Sequence, residues 1–200
     1  NPEEYDDLKL IVQTQSKKTS RGQKKPETLE IAVGGKTKQE KLEKAQELLT
    51  KEISISDVFD EGQLIDVHAV TKGKGFQGTV KRFGVKIRQH KSEKTKRGVG
   101  TLGAWTPKAV SFRVAQPGRM GCHQRIEYNK LLVKITKPEE VNQKGGILHY
   151  GKMKNDCILI KGSIPGSSKR PVVLTEPRRV NKKPPSYEVV KISTESKQGR

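Results

Sequence analysis

"EGQLIDVHAVTKGKGFQGTVKRFG", residues 61–84, changes character at its middle. Up to Val70 it is apolar in both parities. Leu64, Asp66, His68 and Val70 alternate with Ile65, Val67 and Ala69, so both faces are largely apolar, as in a strand buried on both sides. From Thr71 onward it turns glycine-rich and cationic. Gly73, Gly75 and Gly78 spell G-x-G-x-x-G among Lys72, Lys74, Lys81 and Arg82. Such a loop either cradles the phosphates of a nucleotide cofactor or lies against the backbone of a nucleic acid.

The cofactor reading needs a strand before the loop, a helix opening at its end and an acid about 20 residues on. The strand is there. "GTVKRFGVKIR" (78–88) reads as another strand rather than a helix, with Val80, Arg82, Val85 and Ile87 along it and Gly84 as a bulge. The required acid is missing, since the run downstream offers only Glu93, and "GTV" does not supply the G-K-[ST] of a phosphate-binding P-loop. No nucleotide, metal or other cofactor is therefore expected. Glycines instead let backbone N–H groups approach phosphate oxygens, Lys72, Lys74 and Lys81 add point charges, and Arg82 adds a planar fork. Gln77 is placed to meet a ribose or base edge. Phe76 is read as packing into the core ahead of stacking on an exposed base.

Downstream, "QHKSEKTKRGVGTLGAWTPKAVSFRVAQPGRMGCHQR" (89–125) has almost no apolar periodicity. A stretch of this length without elements of its own is unusual unless functional. It reads as an extended basic loop with a reach on the order of 50 Å. Its cations are Lys91, Lys94, Lys96, Arg97, Lys108, Arg113, Arg119 and Arg125. Trp105 sits near its midpoint, where stacking on nucleobases is read ahead of a small core at the loop base. His90 and His123 lie among cations and read as RNA hydrogen-bonders rather than bases, and His68 as a satisfied core or barrel-edge residue. Cys122 beside His123 is no catalytic pair on adjacency alone. Carboxylates are too scarce here for paired-acid or metal-assisted hydrolysis, so no catalytic residue is assigned.

Further out, "LKLIVQT" (8–14) and "TLEIAVGG" (28–35) read as strands, and "KTKQEKLEKAQELLTKEI" (36–53) as a helix with Leu42, Ala45, Leu48 and Leu49 at helical spacing. Thr37 and Glu40 resemble a capping box. "IEYNKLLVKI" (126–135), "GILHYG" (146–151), "CILIKGSIPG" (157–166), "RPVVLTEP" (170–177) and "YEVVKIST" (187–194) read as short strands, spaced as in a small barrel. The expected division is a small α+β unit over 1–60, a β-barrel over 61–88 and 126–200, and the loop over 89–125.

Charge follows the same division. The chain carries a net +19, but residues 1–70 hold 11 Lys/Arg against 14 Asp/Glu, residues 71–130 hold 15 against 2, and residues 131–200 hold 15 against 6. So many like charges call for a polyanion. Cys122 and Cys157 form no C-x-x-C, which fits a reducing interior, and the longest apolar runs are about five residues, far short of a membrane span. Neither a membrane nor a small-molecule substrate is expected. The chain opens on Asn1 without a signal-peptide pattern, as if processed or starting partway through a longer protein.

"GQLIDVHAVTKGKGFQGTVKRFGVK", "GTLGAWTP" and "GRMGCHQRIEYNKLLVKI" together closely resemble the universal large-subunit ribosomal protein family conventionally numbered three, in its archaeal form, over nearly the whole chain and without the family's N-terminal portion. The resemblance implies a mainly β protein: a translation-protein-type β-barrel with an α+β insertion and a long basic extension toward the peptidyl transferase centre. It also implies an early-assembling constituent of the large subunit, on cytoplasmic ribosomes, whose partners are large-subunit rRNA and neighbouring ribosomal proteins. By position, Lys72–Gly78, including Lys74, Gly75, Phe76 and Gln77, match the basic barrel loop. Lys81, Arg82, Lys86 and Arg88 match the rRNA face after it, Trp105 the aromatic tip, and Arg119, Gly121, His123, Gln124 and Arg125 the returning limb. Thr106 stands where many relatives carry a His after the Trp, and Lys96 where eukaryotic relatives carry a His. The alternative function is a free-standing basic RNA-binding assembly factor.

Overall fold

The structure is a computed structural model that describes residues 6–180 and 183–196 of the 200-residue chain. Residues 1–5, 181–182 and 197–200, which the expected α+β unit and barrel include, lie outside the described residues. In chain order the elements are β1 (Lys9–Gln13), β2 (Thr28–Ala32), α1 (Lys38–Thr50), β3 (Leu64–Val70), β4 (Phe76–Gln77), α2 (Thr79–Phe83), β5 (Gly118–Arg119), β6 (Gln124–Thr136), α3 (Pro138–Val141), β7 (Cys157–Ile160) and β8 (Val173–Thr175). Strands with a few helices make this a mainly β, α+β protein. The chain forms two units. One comprises the residues up to 68, 126–164 and those from 168. The other comprises 69–125 with 165–167.

In the first unit β1 and β2 pair antiparallel, from Lys9 opposite Ala32 to Gln13 opposite Thr28. The helix α1 begins where Thr37 Oγ1 accepts the Glu40 N–H at 3.3 Å. The Glu40 carboxylate reaches back one residue further than a capping box requires, to the Lys36 N–H at 2.9 Å. A four-stranded sheet runs in the order β7-β6-β3-β8. The strand β3 lies inside it because its apolar residues face both ways. Ile65 and Val67 are fully buried and form the core with Phe59 and Leu132, flanked by Ile55, Ile135, Ile158, Ile160, Val172 and Leu174.

Two polar groups hold this sheet together. Asp66 is fully buried on β3. Its carboxylate accepts the Asn129 N–H at 2.8 Å and the Arg178 N–H at 3.0 Å, tying β6 to the segment after β8. Asn129 sits at φ 55, and the Asp66 bond stabilises that left-handed kink in a long strand. Further along, the pairing of β6 with β7 shifts between Leu132 and Lys134. Such a shift frees backbone groups. The Tyr187 hydroxyl meets the Val133 carbonyl, donating to it at 2.6 Å, and lies 3.2 Å from Leu132 O, which also accepts the Gly62 N–H at 2.9 Å.

In the second unit, residues 71–77 and 118–123 zip together. Thr71 N–H donates to His123 O, Lys74 N–H to Met120 O and Met120 N–H to Gly75 O, each at 2.9 Å. The short strands β4 and β5 then pair Phe76 with Arg119 and Gln77 with Gly118. Gly121, at φ +78, lies so close to the other limb that a Cβ there would overlap the Lys72 carbonyl oxygen.

Four sequence expectations need correction. Residues 79–83 form the helix α2 and not a strand: Gly78 caps its start, Arg82 N–H donates to Gly78 O at 3.0 Å, and Gly84 at φ 70 ends it in the left-handed conformation. A helix therefore does open after the glycine loop, although the acid and the G-K-[ST] remain missing from the sequence. Phe76 is 77% exposed rather than packed in the core, because its strand is only two residues long and pairs with an irregular limb. Residues 146–151 form a turn closed by Ile147 and Gly151, since positive φ at Gly146, His149 and Gly151 breaks an extended run. Residues 187–194 are not a strand: among the described residues no ladder partner meets them, and Val190 is exposed.

Candidate nucleic-acid interface

The second unit carries the cations. Residues 71–125 hold 14 Lys and Arg against the single acid Glu93. Among the described residues every ion pair lies outside this segment, so none of its cations meets a carboxylate within bonding distance. These like charges repel one another, with Glu93 the one acid of the segment to set against them.

Part of this charge converges on one depression. The zipped limbs and α2 enclose about 550 Å³ lined by Lys72, Lys74, Arg82, Arg119, His123 and Arg125, with Thr71, Phe83, Met120, Gly121 and Gly166. Six residues singled out in the sequence are thus brought together from two stretches, 72–82 and 119–125, that are far apart along the chain. Phe83 and Met120 were not singled out. The resemblance placed Gly121 on the returning limb, and the structure shows its task to be packing against the other limb. Nothing local marks Phe83, whereas Gly121 closes a G-x-x-G with Gly118 that hints at close approach.

The remaining expected residues are spread outside the depression. Lys81, Lys86, Arg88, His90, Lys91, Lys94, Lys96, Arg97, Trp105, Lys108, Arg113, Gly75 and Gln124 are exposed, scattered from the glycine loop through α2 and the long loop to the start of β6. Several have structural tasks of their own. Gln77 Nε2 donates to Lys74 O at 2.6 Å, so its amide nitrogen is occupied within the loop rather than free for a base edge. Arg82 Nη1 donates to Gln116 O at 2.7 Å and thereby pins α2 to the returning limb. Arg88 Nη2 donates to Val99 O at 2.8 Å, and Thr79 Oγ1 donates to Arg97 O at 3.2 Å. These bonds saturate carbonyl groups and leave each guanidinium with further donors.

The aromatics follow the cations. Trp105 is 86% exposed at its turn, where Lys108 N–H donates to Trp105 O at 3.0 Å. Phe112 is 92% exposed and was not singled out in the sequence, although "VSFRV" sets it beside Arg113. Lys74 N–H is spent on Met120 O, so the glycine loop presents fewer free amides than a phosphate cradle would.

Among the described residues no three His, Cys, Asp or Glu side chains cluster as a metal would need. Burial pushes the Cys157 thiol above its ordinary value, with Asp156 adding to the effect, which is the reverse of an activated thiolate. Among the described residues no helix is long and apolar enough to cross a membrane.

Comparison with known proteins gives a consistent result. The family described as "Ribosomal protein L3" matches residues 3–199. "Large ribosomal subunit protein uL3" of Methanobrevibacter smithii is 47% identical over 97% of this chain and 60% of its own length. The proteins of the same name from Methanocaldococcus jannaschii and Methanosphaera stadtmanae are 47% and 48% identical over 99% and 98% of this chain. The chain spans about 60% of the length of these curated relatives.

Proposed function

The chain belongs to the ribosomal protein L3 family, and from that premise we propose that it is a structural constituent of the large ribosomal subunit, in archaeal-type cytoplasmic ribosomes, that binds large-subunit rRNA. The observation that carries the proposal is the second unit's charge: 14 cations, one acid, and no ion pair among its described residues. Phosphates are the counter-charge such a surface needs. The expected RNA-binding residues divide by role. Lys72, Lys74, Arg119 and Arg125 line a concave site that fits a backbone turn, whereas Lys81, Lys86, Lys91, Lys94, Lys96 and Lys108 reach outward as point charges.

Residues 89–125 are proposed as the extension that enters rRNA toward the peptidyl transferase centre, with Trp105 at its tip. The four-stranded sheet is proposed as part of a translation-protein-type barrel, and the β1–β2–α1 portion as the surface that meets neighbouring ribosomal proteins. On this proposal the protein joins early in assembly and supplies no catalytic group.

Two measurements test this. Binding of the purified chain to large-subunit rRNA should weaken by ~10³–10⁵ between ~50 and ~200 mM salt if ~6–10 phosphates are neutralised; a flat salt response rejects phosphate neutralisation. A tagged chain should co-sediment with large subunits after a high-salt wash. Release into the free fraction would instead indicate a passing assembly factor.

A further inference from the structure

We propose that Phe76, Phe83 and Phe112 each act with a neighbouring arginine as a stacking clamp for an unpaired nucleotide, so that the second unit selects single-stranded RNA over duplex. The inference rests on the RNA-binding proposal above and narrows it to a class of RNA.

The first observation is where the aromatics lie. The second unit has four, Phe76, Phe83, Trp105 and Phe112, exposed by 77%, 56%, 86% and 92%. The remaining phenylalanine of the chain, Phe59, is 7% exposed in the core of the first unit. One exposed ring needs no explanation, but a unit that buries none of its rings does.

The second observation is what sits beside each phenylalanine. The guanidinium of Arg82 lies over the Phe83 ring at 5.0 Å from its centroid, and that of Arg113 over Phe112 at 5.7 Å. Phe76 and Arg119 are direct partners across β4 and β5, which puts their side chains on one face. A guanidinium on one side of a ring leaves the other side for a third flat group, and its free donors still reach a phosphate. A nucleobase with its own phosphate supplies both in one residue. The charge of the unit selects the same ligand, since a neutral apolar partner would leave the arginines unpaired.

The form of the RNA follows from geometry. In a duplex the base faces are already stacked and the edges paired, so a side-chain ring finds no free face. Only unpaired or splayed bases offer one, and stacking on them tolerates any sequence.

Trp105, the single tryptophan of the chain, reports binding through its fluorescence. The full chain is titrated with a short unstructured oligouridylate and with an RNA duplex of equal phosphate content. The single strand is expected to bind more tightly and to quench Trp105. Phe76→Leu, Phe83→Leu and Phe112→Leu keep the apolar bulk and lose the ring. Each should weaken single-strand binding by up to about 5- to 150-fold while the salt slope stays unchanged. Phe112→Tyr should bind like the parent, because its ring remains. Equal binding of duplex and single strand, or leucine variants that match the parent, overturns the clamps and leaves the RNA-binding proposal standing. Binding to anionic vesicles with none to either RNA overturns both.

Discussion

Gly121 shows how much one missing methyl group controls. It combines φ +78 with a carbonyl oxygen where a Cβ would be, so the two limbs of the basic loop can close only over glycine. Gly121→Ala should open the limbs. We expect the amides of Lys74 and Met120, which bond across the limbs, to lose their hydrogen-exchange protection by at least about tenfold, for a cost of about 2 kcal/mol. Parent-like protection at both would show that the approach is not obligatory. Asp66 is the counterpart in the sheet. Its two oxygens satisfy two backbone N–H groups inside the protein, and Asp66→Ala strands both. The expected loss is about 2–5 kcal/mol, read from the urea midpoint. A loss below about 1 kcal/mol would mean that water replaces the carboxylate.

At the scale of elements, the stretch between α2 and β5 stands apart. Its backbone bonds are few and local, such as Ser92 N–H to Gln89 O and Val114 N–H to Ser111 O, joined by one wider bond from Arg88 N–H to Lys96 O. Amides in 89–117 should therefore exchange within the fastest class of the free protein and slow markedly on RNA binding. Slow exchange without RNA would contradict this. The same physics explains what the sequence made legible. The strand β3 announced itself because burial on both faces writes a largely apolar run, and α1 because Leu42, Ala45 and Leu48 repeat at helical spacing. The helix α2 did not, because five residues hold no period; two glycines and the Arg82 bond to Gln116 O make it. Residues 187–194 carry a strand's alternation, but among the described residues no strand pairs with them, and Tyr187 is held by the irregularity in β6. For the site, composition exposed the cations directly. The meeting of Lys72 and Lys74 with Arg119 and His123 depends on the fold, and no local pattern encodes it.

Across the whole molecule, charge and core are segregated. Residues 1–70 hold more acids than bases, whereas residues 71–125 hold one acid. The buried core residues Phe59, Ile65, Val67 and Leu132 all lie outside the basic stretch. Trp105→Ala should accordingly change stability by less than about 0.5 kcal/mol, while particles assembled with the variant show altered peptide-bond formation or drug response. Particles indistinguishable from the parent would remove the tip from function. The ladder at Thr71–His123 and Lys74–Met120 has a further consequence. It shuts before the long excursion departs, so the excursion behaves as cargo on a closed clasp. Joining Gly75 to Met120 through Asn-Gly should give a shortened chain that still unfolds cooperatively and no longer binds RNA tightly. Lineages could then lengthen, trim or exchange the intervening residues without re-engineering the chassis that carries them.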